Sequence, residues 1–270
     1  MLARGMNKPL IRRSWDAITR LPLVGNLLHR IARGFLPAQE RVWVRMSYQE
    51  FPGHLFWLKV DPRYEYGQYQ GTHDAAVQKF LVSLLKPGDC FYDVGAHTGF
   101  FSILAAFLVG MKGNIVAVEP YLQNIAVLRE AIARNSLGST IDIVEHAVWS
   151  RPGNVKLLGF QSGPHSNPGM SKIVPWNTPG SYEVACTTLD ALSEAHPPPT
   201  LIKIDVEGAE SKVLEGAARL FIHSRPQLIC EVHDPENSSF VETWLEARGY
   251  VIRWLETSDE LAPQLVAWPK

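Results

Sequence analysis

Cysteine is scarce in this 270-residue chain, with Cys90, Cys186 and Cys230 as its only three. An odd number with no Cys-x-x-Cys spacing argues against a disulfide framework and a thiolate metal knot, and favours a reducing compartment. Long apolar runs are also lacking. The longest, residues 100–111, is too short to cross a bilayer and contains Ser102 and Gly110. The first residues lead into arginines rather than an apolar core with a cleavage site, so no secretory signal pattern is present and a cytoplasmic location is expected. Internal repeats and low-complexity tracts are absent, and no nucleic-acid partner is expected.

What remains is a composition of 46% apolar and 20% charged residues, that of a globular α/β chain. The net charge of −1 conceals an asymmetry: residues 1–45 hold nine Lys and Arg against Asp16 and Glu40. Residues 10–34 alternate apolar and basic positions at helical spacing, with Pro22 dividing two pieces. Such a basic amphipathic segment suits either a helix packed on the body or peripheral contact with anionic lipid. Residues 1–70, which also include an aromatic-rich stretch of short strands at 41–70, are expected to form an extension. Residues 71–270 are expected to form the main domain.

From Cys90 the pattern becomes strand, turn, helix, repeated. Apolar strands are expected at 90–94, 114–119, 141–148, 201–205 and 227–232, with final strands at 250–255 and 265–268. Helices are expected at 72–85, 100–109, 122–132, 188–195, 209–221 and 240–249, and an irregular stretch with a hairpin at 151–186. Strands alternating with helices imply a mainly parallel sheet covered on both faces.

Ligands of such sheets bind beyond the carboxyl ends of the strands. The first of these strands ends in Asp93-Val94-Gly95-Ala96-His97-Thr98-Gly99, whose glycines let the backbone bend and a ligand come close. Glu119 ends the next strand, 20 residues after Gly99, where a carboxylate accepts hydrogen bonds from ribose hydroxyls. A dinucleotide site would prefer Gly-x-Gly-x-x-Gly to hold a pyrophosphate. This turn has one glycine fewer and begins with a carboxylate, which suits a cationic nucleoside such as S-adenosylmethionine (SAM). The missing glycine and the lack of a Tyr-x-x-x-Lys pair argue against the competing NAD(P)-dependent oxidoreductase. Cofactor contacts are expected from Asp93, Gly95, Ala96, His97, Gly99, Glu119 and Pro120, and from His146 and Ala147 after the third of these strands.

A second cluster follows. Asp205-Val206-Glu207-Gly208-Ala209-Glu210 ends the fourth strand of the series, and Glu231-Val232-His233 ends the fifth. Acids in a first helical turn also favour the helix dipole, and Asp205 has the chemistry of a helix cap. Yet both strands flank the crevice of the cofactor turn, so Asp205, Glu207, Glu231 and His233 are expected to converge as catalytic residues. A protonated aliphatic hydroxyl is a poor nucleophile and needs a base or a metal. His233, with an unperturbed pKa near neutrality, is a candidate base. Asp205, Glu231 and His233 are alternatively a ligand set for Mg²⁺ or another divalent cation.

Together these segments resemble the FkbM-type SAM-dependent methyltransferases. The resemblance rests on 93–102, on Val118-Glu119-Pro120, on Thr188-Leu189-Asp190, on 202–210 with Val213-Leu214-Glu215-Gly216, and on Cys230-Glu231-Val232-His233. It implies a Rossmann-like, seven-stranded methyltransferase sheet with an antiparallel last strand. It also implies O-methylation of a small-molecule or carbohydrate acceptor. It places Asp93, Gly95, Gly99 and Glu119 on SAM, and Asp205 and Glu207 at its reacting end. The chain departs from the family at His97, where Asn is common. It departs again at Tyr69-Gln70-Gly71-Thr72-His73-Asp74, where an aspartate stands for the acid of the family's Tyr-x-Gly-x-x-Glu. A loop at 161–167 and the aromatic stretch 41–70 are expected to shape the acceptor pocket. A non-catalytic, membrane-associated SAM-binding module is the remaining alternative.

Overall fold

A computed structural model describes residues 41–48, 51–61, 64–65, 67–68, 71, 73–159, 170–255 and 262–270. The basic segment 10–34, Tyr69 and the loop 161–167 lie outside these residues. In chain order the strands are β1 (Val42–Tyr48), β2 (Phe51–Val60), β3 (Cys90–Val94), β4 (Asn114–Val118), β5 (Ile141–Val144), β6 (Ala147–Val148), β7 (Gly153–Gly159), β8 (Ser171–Val174), β9 (Tyr182–Thr187), β10 (Leu201–Ile204), β11 (Gln227–Glu231), β12 (Tyr250–Trp254) and β13 (Gln264–Pro269). The α-helices are α1 (Ala75–Leu84), α2 (Phe100–Val109), α3 (Leu122–Arg134), α4 (Leu189–Ala195), α5 (Glu210–Glu215), α6 (Ala218–His223) and α7 (Pro235–Glu246).

The central sheet has seven strands in the order β12-β13-β11-β10-β3-β4-β5, with β13 antiparallel to both neighbours and β3, β4, β5, β10 and β11 parallel. This is the Rossmann-like sheet the sequence led us to expect. Its inner strands read as unbroken apolar runs because both faces are covered: every residue of β3 and β10 is buried. Helix α2 is apolar all round for the same reason, lying between the sheet and the β1–β2 hairpin.

Three expectations change. The strand at 141–148 is two strands, because the chain bends at Glu145-His146 and β6 pairs with β9 in a second sheet. That sheet, β6-β9-β7-β8, orders much of what read as irregular between 151 and 186. The helix at 209–221 breaks at Gly216, where any Cβ would strike Trp149 O. The carboxylate of Asp190 compensates by capping α6, accepting from Leu220 N at 2.8 Å and Arg219 N at 3.2 Å. Thr188 likewise caps α4 through Ala191 N at 3.0 Å. Both polar residues of the Thr188-Leu189-Asp190 motif therefore work as helix caps.

The aromatic hairpin β1–β2 packs on α3 and shares its core. Arg134 lies over the rings of Trp43 (4.6 Å) and Trp57 (4.2 Å), and Asn135 exchanges two 2.7 Å hydrogen bonds with the backbone of Trp57. Phe56 stacks on Phe107. These aromatics fill the core and the α3 contact, not the ligand cleft. Among the described residues of the stretch 41–70, Tyr64, Glu65, Gly67 and Gln68 reach the cleft wall.

Candidate functional site

A cleft of about 500 Å³ opens beyond the carboxyl ends of β3, β4, β10 and β11, a size typical of small-molecule sites. Gly95, Ala96, His97, Glu119, Pro120, His146 and Ala147 line one part, and Asp205, Glu207, Glu231 and His233 line another. The expected cofactor residues and the second acidic cluster thus share one cavity. Asp93 and Gly99 are not on its wall: Gly99 lies behind it against Leu128, and Asp93, 1% exposed, lies beneath it.

Gly95 is required by the local packing. Its φ is 81°, and a Cβ there would collide with Asp205 O, so only glycine lets the turn lie against the end of β10. The amides of Gly95 and Ala96 both donate to Val118 O, at 2.9 and 3.0 Å, which ties the turn to the end of β4. Next to it, Glu119 accepts from His97 N (2.8 Å), Tyr121 N (2.9 Å) and Asn124 Nδ2 (3.3 Å). Three of a carboxylate's roughly four acceptor positions are therefore occupied. Burial raises its pKa to about 7 against the lowering effect of those donors.

Lys203 organises the floor. It is 3% exposed, with Nζ 3.0 Å from Asp205 Oδ2, 3.9 Å from Asp93 Oδ1 and 5.0 Å from the ring centre of Phe101. Burial disfavours its charge, but the two carboxylates outweigh that and raise its pKa. Asp93 is held from the other side by Ser102 Oγ at 2.6 Å. Its position explains why it does not face the cavity.

The chain positions the second cluster through a loop rather than a helix. Helix α5 begins only at Glu210, with Ala209 ahead of it, so Asp205 is not its cap and Glu207 stands in the loop at φ 54°. Each of three facing groups has one atom anchored from behind. Asp205 Oδ2 accepts from Lys203, Glu231 Oε2 accepts from Gln264 Nε2 at 2.8 Å, and His233 Nδ1 lies 2.7 Å from the fully buried Glu210. His233 Nε2 is then 3.5 Å from Glu231 Oε1, 3.5 Å from Glu207 Oε2 and 3.9 Å from Asp205 Oδ1. Burial opposes a charge on His233, but the hydrogen bond to Glu210 and the surrounding carboxylates prevail and raise its pKa to about 9. Glu231 is raised to about 7, first by burial and then by Asp205.

Sequence reasoning missed the roles of Lys203 and Glu210. A lysine inside the apolar strand Leu201-Ile202-Lys203-Ile204 was a visible signal, since a buried lysine needs a partner. Glu210 offered none, because its partner His233 is 23 residues away. Glu65 and Asp74 also line the cleft.

The model of the methyltransferase FkbM domain matches residues 93–252, from Asp93 into β12. This chain belongs to the FkbM methyltransferase family. Hexuronic acid methyltransferase AglP of Haloferax volcanii is 27% identical over 166 residues, which are 60% of this chain and 64% of that protein. Methyltransferase FkbM from Methylobacillus flagellatus KT has the same fold, with a TM-score of 0.52 at 17% identity over 78% of this chain and 56% of that one. The chain thus matches less than two thirds of the length of either relative. The FkbM match contains Glu119 and the whole second cluster but not β1, β2 or residues 64–74. As a family assignment it sets the oxidoreductase reading aside.

Proposed function

We propose that this chain is a SAM-dependent O-methyltransferase acting on a hydroxyl of a sugar or sugar-bearing acceptor. The observation that carries this reading is the single cleft with Glu119 in one wall and the Asp205–Glu231–His233 cluster in another. The residues fit the cofactor: Glu119 has about one acceptor position left for a ribose hydroxyl, and Gly95 keeps the turn open to a ligand. SAM, when bound, supplies a methyl group on a sulfonium, ready for displacement by an oxygen nucleophile. Aligning the two reactants is the protein's largest contribution.

The acceptor hydroxyl must lose its proton as its bond to carbon forms. His233 is the less suitable base, because Glu210 and three further carboxylates hold it protonated at neutral pH. We assign proton acceptance to Glu231, whose Oε1 is oriented by the Gln264 bond to Oε2, and a charge-balancing, orienting role to His233. A sugar acceptor agrees with the activity named for AglP. The test is methyl transfer from labelled SAM to uronic acids, neutral hexoses and their glycosides. Failure to label any of them would remove the sugar from the reading.

A second reading has its own observation. One ligand atom from each of Asp205, Glu231 and His233 lies within 4.8 Å of the other two, and each side chain is anchored from behind by a hydrogen-bond partner, as metal ligands commonly are. The set fits a divalent cation such as Mg²⁺, which would lower the pKa of a bound hydroxyl. The two readings part on chelation. With Glu231 as base, dialysis against EDTA is expected to leave turnover unchanged. Loss of turnover that Mg²⁺ or Mn²⁺ restores would assign the cluster to the metal.

Glu119 gives a pH test of the cofactor site. The carboxylate accepts a ribose hydroxyl best when ionised, and burial raises its pKa to about 7. Affinity for S-adenosylhomocysteine is therefore expected to fall as pH drops through 7, by up to about tenfold at one unit below. In Glu119→Gln the affinity should be lower and this pH dependence absent. Calorimetric titration at pH 6 and 8 checks both, and an unchanged slope in the variant would exclude Glu119.

A further inference from the structure

The second sheet has an open edge beside the catalytic cleft. In the β7–β8 ladder the last pair is Lys156 with Val174, so β7 runs past β8 by residues 153–155. Pro175 comes next and has no N–H with which to extend the ladder. The chain continues through Trp176, and a groove of about 570 Å³ lies at this edge, with Trp149, Arg151, Asn154, Lys156 and Trp176 in its lining. Ile173 of β8 lines both this groove and the catalytic cleft, so one strand walls the two.

The groove combines flat apolar surface with positive charge. Trp176 is 62% exposed, and Lys156 Nζ lies 5.2 Å from its ring centre. Trp149 is partly buried against the small core of Ala147, Val155 and Cys186. Lys156 Nζ also faces Glu183 Oε2 at 3.8 Å, and Glu183 Oε1 accepts from Asn154 Nδ2 at 2.6 Å. Arg151 is exposed, and its guanidinium pairs with no carboxylate among the described residues. No Asp or Glu among the described residues lines the groove. The catalytic cleft is the opposite, with six Asp and Glu residues in its lining against Lys172 and Lys203.

An indole face packs well on the apolar face of a pyranose ring, and an unpaired guanidinium fork binds a carboxylate. The two together select a sugar acid. The excess of carboxylates in the cleft disfavours such a group there, and the cations of the groove attract it. We propose that the groove at the edge of β7 holds a carboxylate-bearing sugar of the acceptor, further along the saccharide from the hydroxyl that enters the cleft. The acceptor is then an acidic oligosaccharide rather than a free monosaccharide. This inference rests on the sugar reading above and narrows its substrate class.

The test is calorimetric titration of the full chain, saturated with S-adenosylhomocysteine. The probes are galacturonic and glucuronic acid, oligogalacturonate and hyaluronan tetrasaccharides, and neutral maltotetraose. An acidic tetrasaccharide is expected to bind about tenfold or more tightly than its acidic monomer and than maltotetraose. Trp176→Ala and Arg151→Gln should each weaken that tetrasaccharide about tenfold. Both should leave the monomer and S-adenosylhomocysteine unchanged, which also shows that the variants fold. The proposal is overturned if maltotetraose or the monomer binds as tightly as the acidic tetrasaccharides, or if the variants leave tetrasaccharide binding unaltered. Equal weakening of monomer and tetrasaccharide would overturn it as well. If the unaltered protein binds no sugar of either kind, the sugar reading itself falls and takes the groove with it, an outcome distinct from the others.

Discussion

Replacing Lys203 with Met is expected to destabilise the protein by about 3–5 kcal/mol, because removing one partner of a buried ion cluster leaves the others uncompensated. Asp93 and Lys203 are both buried, and Asp205 shares the same ammonium. For a chain of this size that loss lowers the thermal midpoint by roughly 10 °C. The penalty has a pH signature. Burial already raises the pKa of Asp93 against the opposing pull of Lys203, and without the lysine it rises further above its unfolded value. The added penalty is then present at neutral pH and disappears as pH falls through the folded-state pKa. Combining Lys203→Met with Asp93→Asn is expected to recover part of the loss. Calorimetric melting of the single and double variants at neutral and acid pH checks these signs. A midpoint within a degree or two of the parent would show that the floor does not depend on this cluster.

Replacing Glu231 with Gln is expected to lower kcat by about 10²–10⁴-fold, the usual contribution of a positioned base. Gln264 still finds an acceptor at this position, so folding should be little affected. Affinity for S-adenosylhomocysteine should change by less than about threefold, since Glu231 is assigned to the acceptor and not to the nucleoside. The pH profile supplies a further readout. A base must be unprotonated, so turnover of the parent should rise with pH through about 7, and in Glu231→Gln that limb should vanish. Unchanged kcat would remove Glu231 from the chemistry. A loss of cofactor affinity equal to the loss of turnover would make it a structural residue.

Much of the site was legible because its signals are local. Gly95 announces a backbone bend next to a strand end. Glu119 is set by its distance along the chain from the turn. Asp205 and Glu207 follow the fourth apolar strand of the series directly, and His233 follows the fifth. The order of apolar runs and helical stretches implied a parallel sheet, and a parallel sheet brings successive strand ends to one edge. That reasoning needs no knowledge of which side chains meet across it.

What it could not supply were properties that depend on distances between residues far apart in the chain. Asp93 read as a cation-binding carboxylate of the turn, but it is buried beneath the cleft, where its Oδ2 accepts from Ser102 on α2 and Lys203 on a neighbouring strand lies 3.9 Å from its Oδ1. His233 read as a base of ordinary pKa, but Glu210 and three further carboxylates hold its proton. Residues 209–221 have the periodicity of one helix, yet they fold as α5 and α6 with a break at Gly216, where Trp149 O leaves no room for a Cβ. The aromatic stretch 41–70 read as shaping the acceptor pocket; its hairpin packs on α3, while Tyr64, Glu65, Gly67 and Gln68 line the cleft. In each case composition and spacing decided which groups were available. Protonation and pairing follow the Coulomb and desolvation energies of groups brought within a few ångströms, and only the tertiary structure determines those neighbours. The sequence alone therefore determined a Rossmann-like sheet with a nucleoside turn and an acidic cluster at its edge. Folding decided that the turn's own aspartate is buried, that carboxylates surround His233 and raise its pKa, and that Glu65 and Asp74 are among the residues lining the cleft.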